Sequence, residues 1–259
     1  MAQSDEGLQH RAVRVVKQRL ENLQRAGVTH LAKPRRRAVE AKPRGAETAC
    51  SAPIVESTRQ DELITPALMP PGERPTALEI IRREVAACTR CAELASSRTQ
   101  TVFGVGNPNA RICFFGEAPG ADEDRQGEPF VGRAGQLLTK MIQACGLKRE
   151  DVYILNVLKC RPPGNRNPLP DEVTNCRGYF ERQLAIVRPE VICCLGAVAA
   201  KSLLCTEQSI GKLRGSFHDH RGTAVICTYH PAYLLRNPAA KVDAWEDLKM
   251  MMRRLGVEL

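Results

Sequence analysis

The sequence predicts a three-layer α/β/α domain around a short, mainly parallel sheet of four strands. Four continuous apolar runs, rich in Val, Ile, Cys and Phe, lie at residues 111–116, 152–158, 191–195 and 224–229. Helical patterns separate these runs, and each run ends in loop-forming residues. Continuous apolar strands that alternate with helices indicate a parallel sheet whose two faces are both covered.

The first helix is predicted to begin at a capping box formed by Thr76 and Glu79, whose side chains would accept from free amides. Leu78, Ile81 and Val85 then share one apolar face. Four further helices are predicted at residues 137–145 before Gly146, 170–187 between Pro170 and Pro189, 197–204, and 240–254.

The charge distribution divides the chain into two parts. Residues 1–45 contain eleven Lys/Arg and four Asp/Glu, and so hold most of the net charge of +9. We therefore predict a largely disordered basic N-terminal extension and linker at residues 1–75, with a possible helix at 8–26, before a folded domain at 76–259. A polyanion partner and a merely solubilising tail explain the basic extension about equally well.

Composition restricts the class of protein. The chain has 259 residues, 43% of them hydrophobic, and no apolar run approaches the roughly 18 residues that a membrane span needs. The polar N-terminus lacks the apolar segment of a signal peptide. Eleven cysteines in such a chain argue against a disulfide framework. We expect a soluble protein in a reducing compartment.

Four cysteines are candidate metal ligands because they flank loops and polar helix faces: Cys88, Cys91, Cys160 and Cys176. Most of the others lie inside apolar strands or helical stretches, where a cysteine is a small buried hydrophobe. Four thiolates suit zinc or a cubane iron–sulfur cluster, and their spacing does not separate these two possibilities.

Three polar loops are expected to converge at one edge of the sheet. The segment 116–120 follows the first strand, 159–163 follows the second, and His230 follows the fourth. Ligands of such folds bind at the carboxyl ends of parallel strands. A cleft is therefore predicted at this edge.

Several blocks closely resemble the family-four uracil-DNA glycosylases, which are of the iron–sulfur type. The resemblance covers about residues 76–256. It rests on these blocks in the family order: the Cys88–Cys91 pair, EAPG at 117–120 followed by Glu123 and Asp124, GEPFVGRAG at 127–135, NVLKCRPP at 156–163, and HPAYLLR at 230–236.

The resemblance implies a DNA repair enzyme that flips uracil out of DNA and hydrolyses its N-glycosidic bond, leaving an abasic site. Gly116, Phe130 and Asn156 would bind uracil, with Phe130 stacking on the base and Asn156 reading its edge. His230 would donate to the uracil oxygen that gains charge. Glu117 is the candidate for orienting the attacking water, because Ala118 stands where many superfamily members have an Asp; Asp124 is the second candidate.

The resemblance also implies a 4Fe-4S cluster held by the four cysteines named above. Arg161, Leu234, Leu235 and Arg236 would contact DNA, although helix packing explains either leucine nearly as well. The expected partner is uracil-containing DNA, single- or double-stranded. The default expectation is a cytoplasmic monomer acting on the nucleoid, with no membrane partner.

Three alternatives stay open at this point. The first is a relative that traps uracil-DNA covalently, although the segment 161–168 lacks the histidine of that group. The second is a non-enzymatic iron–sulfur protein that binds nucleic acid. The third is a zinc-binding structural domain.

Overall fold

The computed structural model describes residues 70–259, which contain a six-stranded sheet in the order β1-β3-β2-β4-β6-β5. The strands are β1 Val105–Gly106, β2 Ile112–Gly116, β3 Tyr153–Asn156, β4 Val191–Leu195, β5 Phe217–His220 and β6 Thr223–Thr228. The four predicted strands are β2, β3, β4 and β6, and they pair in parallel as expected.

The predicted strand number is wrong, because two antiparallel edge strands complete the sheet. β1 has two residues and pairs with β3, while β5 pairs with β6. β5 carries polar residues and has no fully buried position, so it lacks an apolar run. The two-residue turn Arg221-Gly222 joins β5 to β6 with φ values of +52° and +83°, as a type I′ hairpin requires.

Helices cover both faces of the sheet, which confirms the three-layer prediction. They are α1 Arg74–Ala86, α2 Ala92–Ser97, α3 Ala121–Gln126, α4 Arg133–Ala144, α5 Pro170–Val187, α6 Ala197–Leu204, α7 Ile210–Leu213, α8 Pro231–Arg236 and α9 Lys241–Arg254. Neighbouring strand residues point to opposite faces. Phe115 packs in a core with α1, α5 and α6, whereas Phe114 packs in a second core with α4 and α9.

The start of the first helix differs from the prediction. α1 begins at Arg74, with Glu73 as its N-cap and a proline in its first turn. The predicted capping box at Thr76 is therefore wrong, and Glu79 pairs with Arg82 and Arg83 instead. Leu78, Ile81 and Val85 are buried as predicted.

The predicted helix at 8–26 lies outside the described residues, and the division of the chain at residue 75 stays a prediction. Among residues 70–259, no helix combines the length and the apolar character needed to cross a bilayer.

Candidate active site

Strand register places Gly116 beside Asn156 at the carboxyl ends of β2 and β3. A Cβ atom on Gly116 would lie 2.3 Å from Asn156 Oδ1 and 2.5 Å from the Phe130 ring. Such distances are far below van der Waals contact. Glycine therefore allows the amide and the aromatic ring to meet over the end of β2.

The loop that carries Phe130 is held by one carboxylate. Glu123 Oε1 accepts hydrogen bonds from the amides of Val131 and Gly132, both at 2.9 Å. Its Oε2 accepts from the amide of Gly120 at 3.1 Å. Phe130 itself has φ +55°, a conformation that a bulky residue keeps only when its surroundings impose it. Glu123 thus fastens the Phe130 loop to the loop after β2.

His230 follows β6 and caps α8. Its Nδ1 accepts a hydrogen bond from the Ala232 amide at 3.1 Å, so the proton of the neutral ring lies on Nε2. The pKa of His230 is lowered to about 4, mainly by burial and also by the charge of Arg236, while Glu123 acts in the opposite direction. The imidazole is therefore a neutral donor at physiological pH.

One cavity of about 550 Å³ is lined by Glu117, Glu123, Phe130, Asn156 and His230. Phe130 and His230 have ring centroids 5.7 Å apart. Asn156 is 2% exposed, and its Oδ1 is buried with no hydrogen-bond partner among the described residues. Burial raises the pKa of Glu117. The cavity thus combines an aromatic face, an unpaired acceptor, a neutral donor and a carboxylate.

The segment after His230 lies at the rim of this cavity. Tyr233 and Arg236 line it, and Leu235 is exposed. Leu234 is 1% exposed and packs in the core with α4 and α9. This burial agrees with helix packing, the alternative explanation for Leu234, and its contact with DNA stays a prediction.

Two other expected residues lie outside the cavity lining. Arg161 Nε donates to Asn165 Oδ1 at 2.8 Å, and its neighbour Pro162 lines the rim. Asp124 is buried, and both of its carboxylate oxygens accept from the Thr99 amide. The Asp124 carboxylate is thus bound by a backbone amide and does not line the cavity, which favours Glu117 as the candidate for orienting water.

Comparison with known sequences agrees with this geometry. The profile described as "Uracil DNA glycosylase superfamily" matches residues 103–249. The chain belongs to this superfamily. A type-4 uracil-DNA glycosylase of Archaeoglobus fulgidus is 48% identical over 188 residues, which cover 70% of this chain and 94% of that protein.

Further relatives of this superfamily member include a second type-4 enzyme and a type-5 enzyme. A type-4 uracil-DNA glycosylase of Sulfurisphaera tokodaii is 44% identical over 190 residues, covering 70% of this chain and 86% of that protein. A type-5 uracil-DNA glycosylase of Pyrobaculum aerophilum is 31% identical over 206 residues, covering 66% and 88%. The resemblance to the family-four enzymes is thereby confirmed.

The four candidate cysteines of this superfamily member line one small cavity between α1, α2 and α5. Within residues 70–259, no group of three or more His, Cys, Asp or Glu side chains is arranged to hold a single metal ion. Donors nevertheless point at the sulfurs: Arg98 Nη1 lies 3.1 Å from Cys160 Sγ, and Asn175 Nδ2 lies 3.4 Å from Cys91 Sγ.

The thiols of this cavity differ in pKa. Burial raises the pKa of Cys176 to about 11. Burial also acts to raise the pKa of Cys88, but hydrogen bonds with Tyr179 and Arg90 outweigh it, and the pKa is lowered. The cationic and amide groups around the four cysteines donate hydrogen bonds to sulfur. Such groups stabilise anionic thiolates, which are the form in which cysteine binds a metal.

Two charged residues that hydrogen-bond to the backbone around the site, Glu123 and Lys159, were given no role in the sequence analysis. Glu123 was noted only as part of a motif, although three amides bind its carboxylate. Lys159 is buried, and its Nζ donates to the carbonyls of Asn156 at 2.9 Å and Phe103 at 3.2 Å. Burial lowers the pKa of Lys159 to about 7. A lysine directly after an apolar strand was the available signal.

Proposed function

We propose that this protein is a uracil-DNA glycosylase that flips uracil out of DNA and hydrolyses its N-glycosidic bond, leaving an abasic site. The observation that carries the proposal is the unpaired, buried Oδ1 of Asn156 in the same cavity as the neutral imidazole of His230. A buried acceptor without a partner costs about 1–3 kcal/mol, which a ligand N–H would recover.

Uracil matches the Asn156 amide at two neighbouring atoms. The uracil N3–H would donate to Oδ1, and the uracil O4 would accept from Nδ2. Cytosine presents an acceptor and a donor in the reverse order, so both amide groups would be left unpaired in the cavity. Phe130 would add stacking that is insensitive to base identity.

Bond cleavage leaves negative charge on the departing uracil and positive charge on the sugar. His230 Nε2–H would donate to the uracil O2 as charge develops there, and a preorganised neutral donor needs no proton transfer to act. The Glu117 carboxylate would orient the attacking water. Unstacking the base costs a few kcal/mol, which Leu235 and the arginines Arg161 and Arg236 would help to offset by contacts to DNA.

Incubation with single- and double-stranded uracil oligonucleotides, followed by alkaline cleavage of abasic sites, tests the proposal. Strand breaks at uracil, and none at cytosine or thymine, are expected. A protein–DNA adduct that survives a denaturing gel would indicate the covalent-trapping alternative, and binding without cleavage would indicate a binding protein.

The pH dependence of cleavage should report Glu117. Burial raises its pKa, so the carboxyl stays protonated to a higher pH than a free glutamate does, and the single-turnover rate should rise as pH increases through that pKa. The rate should then stay level up to neutral pH, because His230, with a pKa of about 4, is already neutral in that range. Glu117→Gln should remove the acid limb and lower the plateau by about 10².

The control for this experiment is Glu128→Gln, which changes an exposed carboxylate outside the cavity lining. Its profile should match that of the unmodified protein. Full single-turnover cleavage by Glu117→Gln would contradict the assigned role.

We further propose that Cys88, Cys91, Cys160 and Cys176 hold a 4Fe-4S cluster. A cluster spans more space than a single ion, so its ligands need not converge on one point. Hydrolysis of the glycosidic bond needs no electron transfer, so the cluster would have a structural role and would brace the loops around it. Cys160 is followed directly by Arg161, so a held Cys160 would also position an arginine suited to a phosphate contact.

Purified protein is expected to be brown and to contain iron; zinc in a colourless protein would support the zinc alternative. Cys160→Ala should lower the iron content, weaken DNA binding and destabilise the fold by about 3 kcal/mol, or roughly 6–12 °C in Tm for a domain of this size. Cys205→Ala, a change at an exposed thiol outside the cysteine cavity, should keep the iron. Loss of iron with unchanged Tm and DNA affinity would refute the bracing role.

A further inference from the structure

An exposed aromatic ring stands at the mouth of the cavity. Tyr233 is 39% exposed and lines the rim. It lies on α8, three residues after His230, and its amide donates to the His230 carbonyl at 2.9 Å. His230 and Tyr233 both line the cavity, so the imidazole and the Tyr233 ring border the same opening.

A stack of groups supports this ring from behind. Tyr229 lies beside Tyr233, with ring centroids 5.0 Å apart and an interplanar angle of 30°. The guanidinium of Arg214 lies 5.4 Å from the Tyr229 ring centroid. Asp247, which is 1% exposed, holds that guanidinium by bonds of 3.1 and 3.2 Å. A buried carboxylate thus anchors the series, which limits movement of the Tyr233 ring.

The cationic residue Arg236 lies next to this ring. It is three residues beyond Tyr233 on α8 and lines the same cavity. An aromatic face beside a cationic side chain is the usual arrangement for binding unpaired nucleotides, because the ring stacks on a base and the cation contacts the backbone. Leu235, the other exposed apolar residue of α8, does not line the cavity.

We propose that Tyr233 is a stacking platform for the base next to the flipped uracil on the uracil-containing strand. The inference rests on the proposed glycosylase function and adds a second base to the recognised substrate. The platform reads no base identity, since every base has an aromatic face. It is expected to act on single strands and duplexes alike, because the neighbouring base is partly unstacked once uracil leaves the helix.

A double-mutant cycle between protein and DNA tests the platform. The dissociation constant would be measured by fluorescence anisotropy for single-stranded oligonucleotides with the non-hydrolysable 2′-fluoro analogue of deoxyuridine. Three DNAs are compared: one intact, one lacking the base on the 5′ side of the uracil, and one lacking it on the 3′ side. Tyr233→Leu keeps an apolar side chain without the aromatic face, and Tyr233→Phe keeps the face.

The full-length protein should lose about tenfold in affinity when the base on one side is deleted, and much less when the other is deleted. Tyr233→Leu should bind intact DNA about tenfold more weakly and be insensitive to that deletion, while Tyr233→Phe should resemble the unmodified protein.

Phe217→Leu is the matched control, since Phe217 is 38% exposed on β5 and does not line the cavity. It should leave all three affinities unchanged. Additive effects of Tyr233→Leu and base deletion, or no effect of either deletion, would overturn the platform even if uracil is cleaved. Absence of uracil cleavage by the unmodified protein would instead refute the proposed function.

Discussion

His230→Ser is expected to lower the single-turnover rate of uracil release by about 10²–10³ while leaving the fold intact. The lost group is the Nε2–H donor, and removal of one preorganised donor to a developing oxyanion has an effect of this size in other enzymes. Serine retains an acceptor for the Ala232 amide that His230 Nδ1 now binds, and serine is a favoured N-cap. The measurement is rapid-quench cleavage of a uracil oligonucleotide under enzyme excess.

His230→Ala provides the comparison that separates catalysis from capping. It removes both the donor and the cap, so its rate should fall as in His230→Ser, while its free energy of unfolding should fall by about 1 kcal/mol more. If His230→Ser cleaves at the unmodified rate, His230 serves only as the N-cap of α8, and the assigned chemistry is wrong.

Gly116→Ala is expected to reduce kcat/KM for uracil-DNA by at least about 10². The new Cβ would occupy space 2.3 Å from Asn156 Oδ1 and 2.5 Å from the Phe130 ring, so both side chains must shift. A displacement of about 1 Å in a positioned group can cost 10² in rate. Overpacking should also destabilise the fold, by about 1–3 kcal/mol. Steady-state kinetics and thermal unfolding measure the two effects.

Gly178→Ala is the matched control for this substitution. Gly178 lies inside α5, and a Cβ there would meet nothing within 4 Å. Alanine should stabilise the helix by roughly 0.5–1 kcal/mol and leave cleavage unchanged. Activity of Gly116→Ala equal to that of Gly178→Ala would contradict the close approach of Asn156 and Phe130 at the end of β2.

The central strands could be predicted because their residues are buried on both faces. Ile112–Gly116 and Val191–Leu195 are buried at every position, and a continuous apolar run is what such burial requires. Phe217–His220 could not be predicted in this way, since an edge strand with half-exposed positions keeps polar residues. Its place in the sheet depends on pairing with β6 and on the Arg221-Gly222 turn.

The site was predictable in part. Glu117, Phe130, Asn156 and His230 were named from sequence blocks, and they line one cavity. Their chemical roles stay predictions. Leu234 and Leu235 are adjacent and identical in type, yet one is buried and the other exposed. The rotation of α8 decides which of them faces solvent, and that rotation depends on packing against α4.

The sequence by itself determined the layered fold, the positions of the four parallel strands along the chain and the types of residue that line the cavity. It could do so because burial periodicity and motif spacing are local properties of the chain. Only the tertiary structure decided that Glu123 fastens the Phe130 loop, that the Asn156 acceptor is unpaired, and that Tyr233 is supported from within. Each of these depends on atoms brought together by strand register and helix packing, and none is encoded in the neighbouring residues alone.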